Sequence, residues 1–232
     1  MKKRVLTGAI LLLMSAGLFA QAVKDRNVIP VAVNLNQVLR MTITNGGNIE
    51  FNFNTIDAYK TGLSGDVATS GSANIAASEG LYQTDFMVAS STRWKITYGA
   101  EMATFIGTDN PANTLALDNV GYSIVNNGAH VFETGGAQGT TATEELWSTP
   151  TASATEPAAL EAYPVDLIED NDGATAANAG DATDNSFTLV WRCGTSEGTT
   201  TPMNTVALID QQPSPTPDRY MVNVIFELAI DN

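Results

Sequence analysis

Apolar and polar residues alternate along most of this chain, and that period of two constrains its fold more than any other feature. Successive side chains of a β-strand point to opposite faces, so each alternating run predicts a strand with one buried and one wet face. Half-buried strands of this kind are typical of antiparallel sheets. Downstream of the N-terminal apolar stretch no run has a helical period. The alternating runs cover residues 39–43, 49–53, 94–98, 187–191 and 222–230.

Turn signals separate these runs. Asn45-Gly46-Gly47 lies between the first two and predicts a tight hairpin, because Asn-Gly tolerates positive φ angles. Asn126-Asn127-Gly128 predicts a second turn, and Ser90-Ser91 a third. Several short strands with regular turns indicate a sandwich or a barrel. We predict an all-β fold, an antiparallel Ig-like or pilin-like β-sandwich.

The first residues resemble an export signal. Lys2, Lys3 and Arg4 precede an apolar stretch over residues 5–19, and small residues follow, with cleavage points before Gln21 or after Ala22. The apolar stretch is shorter than the roughly 20 residues that span a bilayer. We therefore predict a cleaved signal over residues 1–20, a single domain over 21–232 and a secreted, extracellular or cell-surface location without membrane insertion.

The charge of the chain excludes several partners. It carries 11 Lys and Arg against 25 Asp and Glu, and loss of the three signal cations changes the formal charge from −14 to −17. Nucleic acids and anionic membrane surfaces attract clustered cations, which this chain lacks. Neither is an expected partner.

Residues 28–35 have an unusual combination of features. Ile29, Val31, Val33 and Leu35 alternate with other residues, yet Pro30 has no backbone donor. Proline is confined to edges or bulges of sheets. The pattern predicts an edge strand, whose four apolar side chains are candidate interface residues for strand addition.

Residues 134–185 differ in composition from the rest. They are rich in Ala, Thr, Gly, Ser and acids and contain no Lys or Arg. This composition predicts a long acidic insertion on the surface, partly ordered at best. Within it, Asp166, Glu169, Asp170 and Asp172 form a candidate calcium site, although an ordinary acidic loop would look the same.

Catalytic signals are few. His130 is the only histidine, and a zinc site would need more His or Cys ligands than the chain has. An acid-pair glycosidase is an alternative, but the acids on predicted strands, Glu50 and Glu227, lie on wet faces. We expect no enzymatic activity and no cofactor apart from the calcium candidate.

The single cysteine and two of the three tryptophans are expected to be core residues. Cys193 is expected to be a buried apolar residue near a strand end, with a cross-chain disulfide as the alternative. Trp94 and Trp191 lie on apolar faces and predict core residues. Trp147, in the acidic region, is the candidate interface anchor or ligand platform.

Three stretches of sequence carry a family resemblance. The opening VIPVAVNLNQVLRMTITNGGNIEFNF, the middle STRWKITYG and the closing RYMVNVIFELAIDN resemble secreted bacterial surface sandwiches of the fimbrial and spore-coat-protein-U type. The resemblance covers both ends of the chain and omits the acidic region. It implies a pilus-like subunit or a surface adhesin and brings no catalytic residues. Many fimbrial subunits have a disulfide, which one cysteine cannot form within the chain.

Three functions follow as hypotheses. The leading one is a subunit of an extracellular filament or surface layer, a homopolymer assembled by β-strand addition through residues 23–36. The second is a monomeric adhesin or carbohydrate-binding module that contacts glycans or a host surface through Trp147. The third is the acid-pair glycosidase.

Overall fold

The computed structural model describes residues 29–65, 81–130, 132, 146–148, 157–170, 178–195, 203–204 and 206–231. The predicted signal, residues 1–20, lies outside this part of the chain. Residues 1–36 and 37–232 are two units. The strands described below all belong to the second unit.

Thirteen strands form three antiparallel sheets among the described residues, which confirms the all-β sandwich. The first sheet has the order β1-β3-β11-β7-β9, with β2 also paired to β11, and the second has the order β13-β4-β10-β8. A small third sheet has the order β12-β5-β6. The bounds are β1 Leu39–Asn45, β2 Leu63–Ser64, β3 Gln83–Ser90, β4 Trp94–Ala100, β5 Thr104–Gly107, β6 Thr114–Ala116, β7 Val120–Asn126, β8 Leu146–Ser148, β9 Ala158–Ala159, β10 Val165–Asp170, β11 Gly180–Cys193, β12 Tyr220–Met221 and β13 Val224–Ile230.

The core lies between the two larger sheets. The rings of Phe86 and Phe187 stack at 5.3 Å, and Trp94 meets Phe187 edge-on at 6.0 Å. Trp94 is fully buried and Trp191 nearly so, as their places in the alternation predicted. Such ring pairs stabilise a core beyond the area they bury. The turn predicted at Ser90-Ser91 joins β3 to β4 and so connects the two sheets.

The hairpin predicted at Asn45-Gly46-Gly47 is wrong. Gly46 has φ +68°, as a turn requires, but β1 pairs with β3, and residues 48–54 form no strand. Their alternation has another cause: Phe51 stacks on Tyr82 at 4.5 Å and Phe53 packs against Tyr59 at 5.4 Å. Alternate side chains therefore cover the core without backbone pairing.

The prediction of a surface insertion over residues 134–185 is wrong for the described parts. They contain β8, β9, β10 and the start of β11, and Leu167 and Ile168 are fully buried. The acidic composition suggested a loop, but β10 accommodates its carboxylates on its polar face and at its end.

One short helix, α1 (Ile56–Thr61), was not predicted. Thr55 caps it, its Oγ1 accepting a hydrogen bond from the Ala58 N–H at 3.1 Å, and Gly62 ends it with φ +75°. Two 3₁₀ turns, Leu117–Asn119 and Leu208–Asp210, complete the regular structure of the described residues. No helix among them is long and apolar enough to cross a membrane.

Candidate functional site

β1 is an edge strand of the first sheet and β13 of the second, and the two approach each other along one side of the sandwich. Within the described part of the chain, no strand pairs with the outer edge of either. An outer edge presents a row of backbone N–H and C=O groups that can pair with another chain. This side of the sandwich is therefore a candidate interface.

The inward side chains of β1 are incompletely covered. Leu39, Met41 and Ile43 stand opposite Ser90, Val88 and Phe86 of β3, all of which are buried. Leu39 and Met41 are half-buried, and Ile43 is 46% exposed. Burial thus falls sharply from the second strand to the first.

β13 repeats this gradient in the other sheet. Its inward residues pair with Ala100, Tyr98, Ile96 and Trp94 of β4, which are fully or almost fully buried. Its own inward residues are half-buried, and Ile230 is 37% exposed. We call the inward residues of both edge strands the seam: Leu39, Met41, Ile43, Val224, Phe226, Leu228 and Ile230.

Arg93 ties one end of the seam to the β3–β4 turn. At the end that carries the β3–β4 turn, the Asp231 N–H donates to the Arg93 carbonyl, and the Arg93 guanidinium meets the Asp231 carboxylate, both at 3.2 Å. Beyond the other ends of β1 and β13 along the chain, Arg219 Nε lies 3.2 Å from Glu50 Oε1, with both side chains about half exposed. Surface pairs of this kind contribute little to stability, so the Arg93 contacts are the ones that tie the end of β13 to the β3–β4 turn.

The chain enters β1 at the β3–β4 turn. Gln37 Nε2 donates to Thr92 Oγ1 at 3.1 Å, the Val38 N–H donates to Ser91 Oγ at 2.9 Å, and the Ser91 N–H donates to the Val38 carbonyl at 3.0 Å. These bonds extend the pairing of β1 beyond its first residue. They fix the start of the second unit against the β3–β4 turn.

In the first unit, residues 29–36 form no strand, so the edge strand predicted there is absent from this structure. The missing Pro30 donor is one reason why this segment pairs poorly. Its four alternating apolar side chains are largely exposed, Ile29 by 82%, Val31 by 84%, Val33 by 76% and Leu35 by 91%. Four exposed large apolar side chains within seven residues make this segment a candidate interaction site.

Three of the four calcium candidates, Asp166, Glu169 and Asp170, lie on β10. Asp166 Oδ1 is 3.8 Å from Lys95 Nζ and accepts from Thr97 Oγ1, whereas fully buried Asp170 is 3.4 Å from Arg93 Nε. Glu169 is half-buried on β10, and Asp172 lies outside the described residues. Among the described residues, no three His, Cys, Asp or Glu side chains come together as metal ligands.

The remaining candidates are dispersed. His130 is buried after β7, and Cys193 is buried at the end of β11, where burial raises the pKa of its thiol to about 12. Glu227 accepts a hydrogen bond from Tyr163 Oη at 2.8 Å, and this bond raises the pKa of Tyr163. Trp147 lies in β8 opposite Glu169. None of these pairs with another to form a catalytic arrangement within the part of the chain that is described.

Sequence reasoning found the alternation of β1 and β13 but missed the seam. The two runs are about 180 residues apart, and nothing in either indicates that it is an edge strand or that the two are neighbours. That relationship follows from the strand order of each sheet together with the contact between β1 and β13. A scan against models of protein families finds no match for the chain, and a search of curated proteins finds no significant similarity.

Proposed function

We propose that this protein is an exported structural subunit that polymerises by β-strand addition, with residues 23–36 of one copy binding the seam of the next. The observation that carries the proposal is the match between the two surfaces. Four exposed apolar side chains alternate in the segment, and seven incompletely buried apolar side chains lie along the seam. The segment would bury its apolar side chains in the seam, and the seam would gain a strand that covers its own.

The lengths and chemistry of the two surfaces are compatible. β1 and β13 each have seven residues, and residues 29–35 also number seven. The charged residues of the segment, Lys24, Asp25 and Arg26, lie near its start, and residues 27–36 contain no charged side chain, so entry of residues 27–36 into the seam would bury none. Main-chain hydrogen bonds to the free edges would supply affinity, and the alternating side chains would supply specificity.

Pairing between copies is favoured over pairing within one. Gln37 and Val38 are tied to the turn at residues 91–92, and the chain would have to reverse within a few residues to lie along its own β1. A segment that instead leaves for another copy makes a head-to-tail contact. Such contacts do not close on themselves and so produce fibres.

Export and surface location belong to the same proposal. The N-terminal cations and apolar stretch support secretion, and the strong negative charge would keep unassembled subunits from associating nonspecifically. The subunit needs no catalytic residue for this role.

Electron microscopy tests the proposal directly. Purified protein beginning at Gln21 should form regular filaments in negative stain at high concentration. A variant that lacks residues 23–36 should remain monomeric with an unchanged circular dichroism spectrum. Filaments that persist in the deletion variant would contradict strand addition, and discrete particles from the protein beginning at Gln21 would contradict self-assembly.

A further inference from the structure

A shallow depression of about 350 Å³ lies where the chain leaves β1 and where residues 81–83 enter β3. Its volume is at the small end of the range for ligand sites, about 300–1,000 Å³. None of its lining residues belongs to the seam. Six of them matter here: Asn48, Ile49, Glu50, Leu81, Tyr82 and Gln83.

Tyr82 has an unusual backbone conformation in this depression. Its φ is +56°, and it is the only residue other than glycine with a positive φ among those described. A bulky side chain in this region is strained, and such strain is concentrated at ligand-binding and catalytic sites. Two contacts hold it: its carbonyl accepts the Trp191 N–H at 2.7 Å, and its ring stacks on Phe51 at 4.5 Å.

The polar side chains of the depression have unused hydrogen-bonding capacity. Within the described residues, the amides of Asn48 and Gln83 make no side-chain hydrogen bond, although each has two N–H donors and an acceptor oxygen. Arg219 Nε lies 3.2 Å from the Glu50 carboxylate. Amides and a carboxylate suit a ligand whose groups both donate and accept, as hydroxyl groups do.

The apolar side chains complete an amphipathic wall. Leu81 is 50% exposed, and Ile49 and Tyr82 are half-buried. Ligand sites commonly combine such a wall with a few convergent polar groups. A pyranose ring has the same two faces, C–H groups on one and hydroxyl groups around its rim.

We infer that this depression binds a neutral sugar residue. The negative charge of the chain and the presence of Glu50 disfavour acidic sugars. Tyr82 and Ile49 would pack against the ring, while Asn48, Gln83 and Glu50 would bind its hydroxyls. The site shares no residue with the seam, so it does not depend on filament assembly.

Calorimetric titration of the protein beginning at Gln21 with glucose, galactose, mannose and N-acetylglucosamine tests the site. At least one sugar should bind, and Gln83→Ala should weaken it about tenfold, the effect of losing about 1.4 kcal/mol of hydrogen bonding. Tyr82→Asn, which removes the ring but tolerates the left-handed conformation, should weaken it at least as much. Asn127→Ala, in the other Asn-Gly turn, should have no effect.

Three results would overturn the inference. One is the absence of binding for all four sugars. Another is binding that remains unchanged in Gln83→Ala, a variant whose folding can be checked independently of Tyr82→Asn. The last is binding that disappears in Trp147→Ala while the variants at Tyr82 and Gln83 bind normally.

Discussion

The ring of Phe226 in β13 lies 6.0 Å from the ring of Phe86 in β3, so the edge strand of one sheet contacts the second strand of the other. Phe86 is fully buried, whereas Phe226 is only half-buried. The seam therefore has an apolar floor that the core supports and an outer side that the described residues leave uncovered. Another apolar strand would find a surface already shaped by the core.

A charge at the seam should prevent assembly without unfolding the subunit. Ile43→Asp introduces a carboxylate where an incoming apolar side chain would lie, and the nearly half-exposed Ile43 contributes little to the core. Burying an unpaired charge is strongly unfavourable. We expect filaments to disappear from electron micrographs while the thermal transition persists.

Thr42→Asp is the matched control. Thr42 is the neighbouring residue on the opposite, exposed face of β1, opposite Met87. The Thr42→Asp variant should still form filaments. Equal loss of assembly in both variants would mean that the charge acts on β1 generally and not through the seam.

Arg93 should be a major determinant of stability. Its guanidinium faces the fully buried carboxylate of Asp170 at 3.4 Å and also binds Asp231. Disrupting a buried pair lowers the free energy of unfolding by about 3–5 kcal/mol, and the partial exposure of Arg93 places the expected decrease near the lower limit. Denaturant unfolding of Arg93→Gln should show a free energy of unfolding about 3 kcal/mol lower than that of the wild type.

The exposed pair of Lys95 and Asp166 provides the comparison for Arg93. Its atoms are 3.8 Å apart, and both side chains are more than a third exposed. Lys95→Gln should change the free energy of unfolding by less than about 1 kcal/mol. Similar losses in the two variants would show that burial of Asp170 does not control the effect.

The fold class could be predicted from sequence because alternation depends on local geometry. The core places of Trp94 and Trp191 followed from the same pattern. The strand β10 could not be recognised, because Asp166, Glu169 and Asp170 hide the signal of its two buried apolar residues. Asp166 depends on Lys95 of β4 and Asp170 on Arg93 of the β3–β4 turn, both distant in sequence. The seam was equally hidden, since strand order depends on contacts distant in sequence.

Asp218 should make the third sheet sensitive to acid. Its carboxylate accepts hydrogen bonds from the Asp109 N–H, the Asn113 amide, the Asn110 N–H and the Arg219 N–H, and the first of these does most to lower the pKa of Asp218. A lowered folded-state pKa gives stability that is complete above the unfolded pKa, about 3.9, and is lost as pH falls through the folded value.

Asp218→Asn should therefore lower Tm at neutral pH, and the difference from the wild type should shrink below about pH 4. Differential scanning calorimetry across that range measures it. Asp210→Asn, at an exposed carboxylate, serves as the control and should show no such difference. A Tm difference between Asp218→Asn and the wild type that stays constant down to acidic pH would exclude ionisation of Asp218 as the cause.

Cys193 should be unreactive in the folded protein. It is buried, and burial raises the pKa of its thiol to about 12, so little thiolate forms at pH 8. Ellman's reagent should modify it only after denaturation, and non-reducing gels should show monomers. A disulfide-linked dimer would instead support the cross-chain alternative.

Mixing two assembly-defective variants tests strand addition most directly. The variant without residues 23–36 retains the seam but no donor, and Ile43→Asp retains the donor but has a blocked seam. Each alone should be monomeric, and together they should form a 1:1 heterodimer that grows no further, as measured by size-exclusion chromatography with light scattering. Failure to form that heterodimer, or polymers from either variant alone, would contradict the binding of residues 23–36 to the seam.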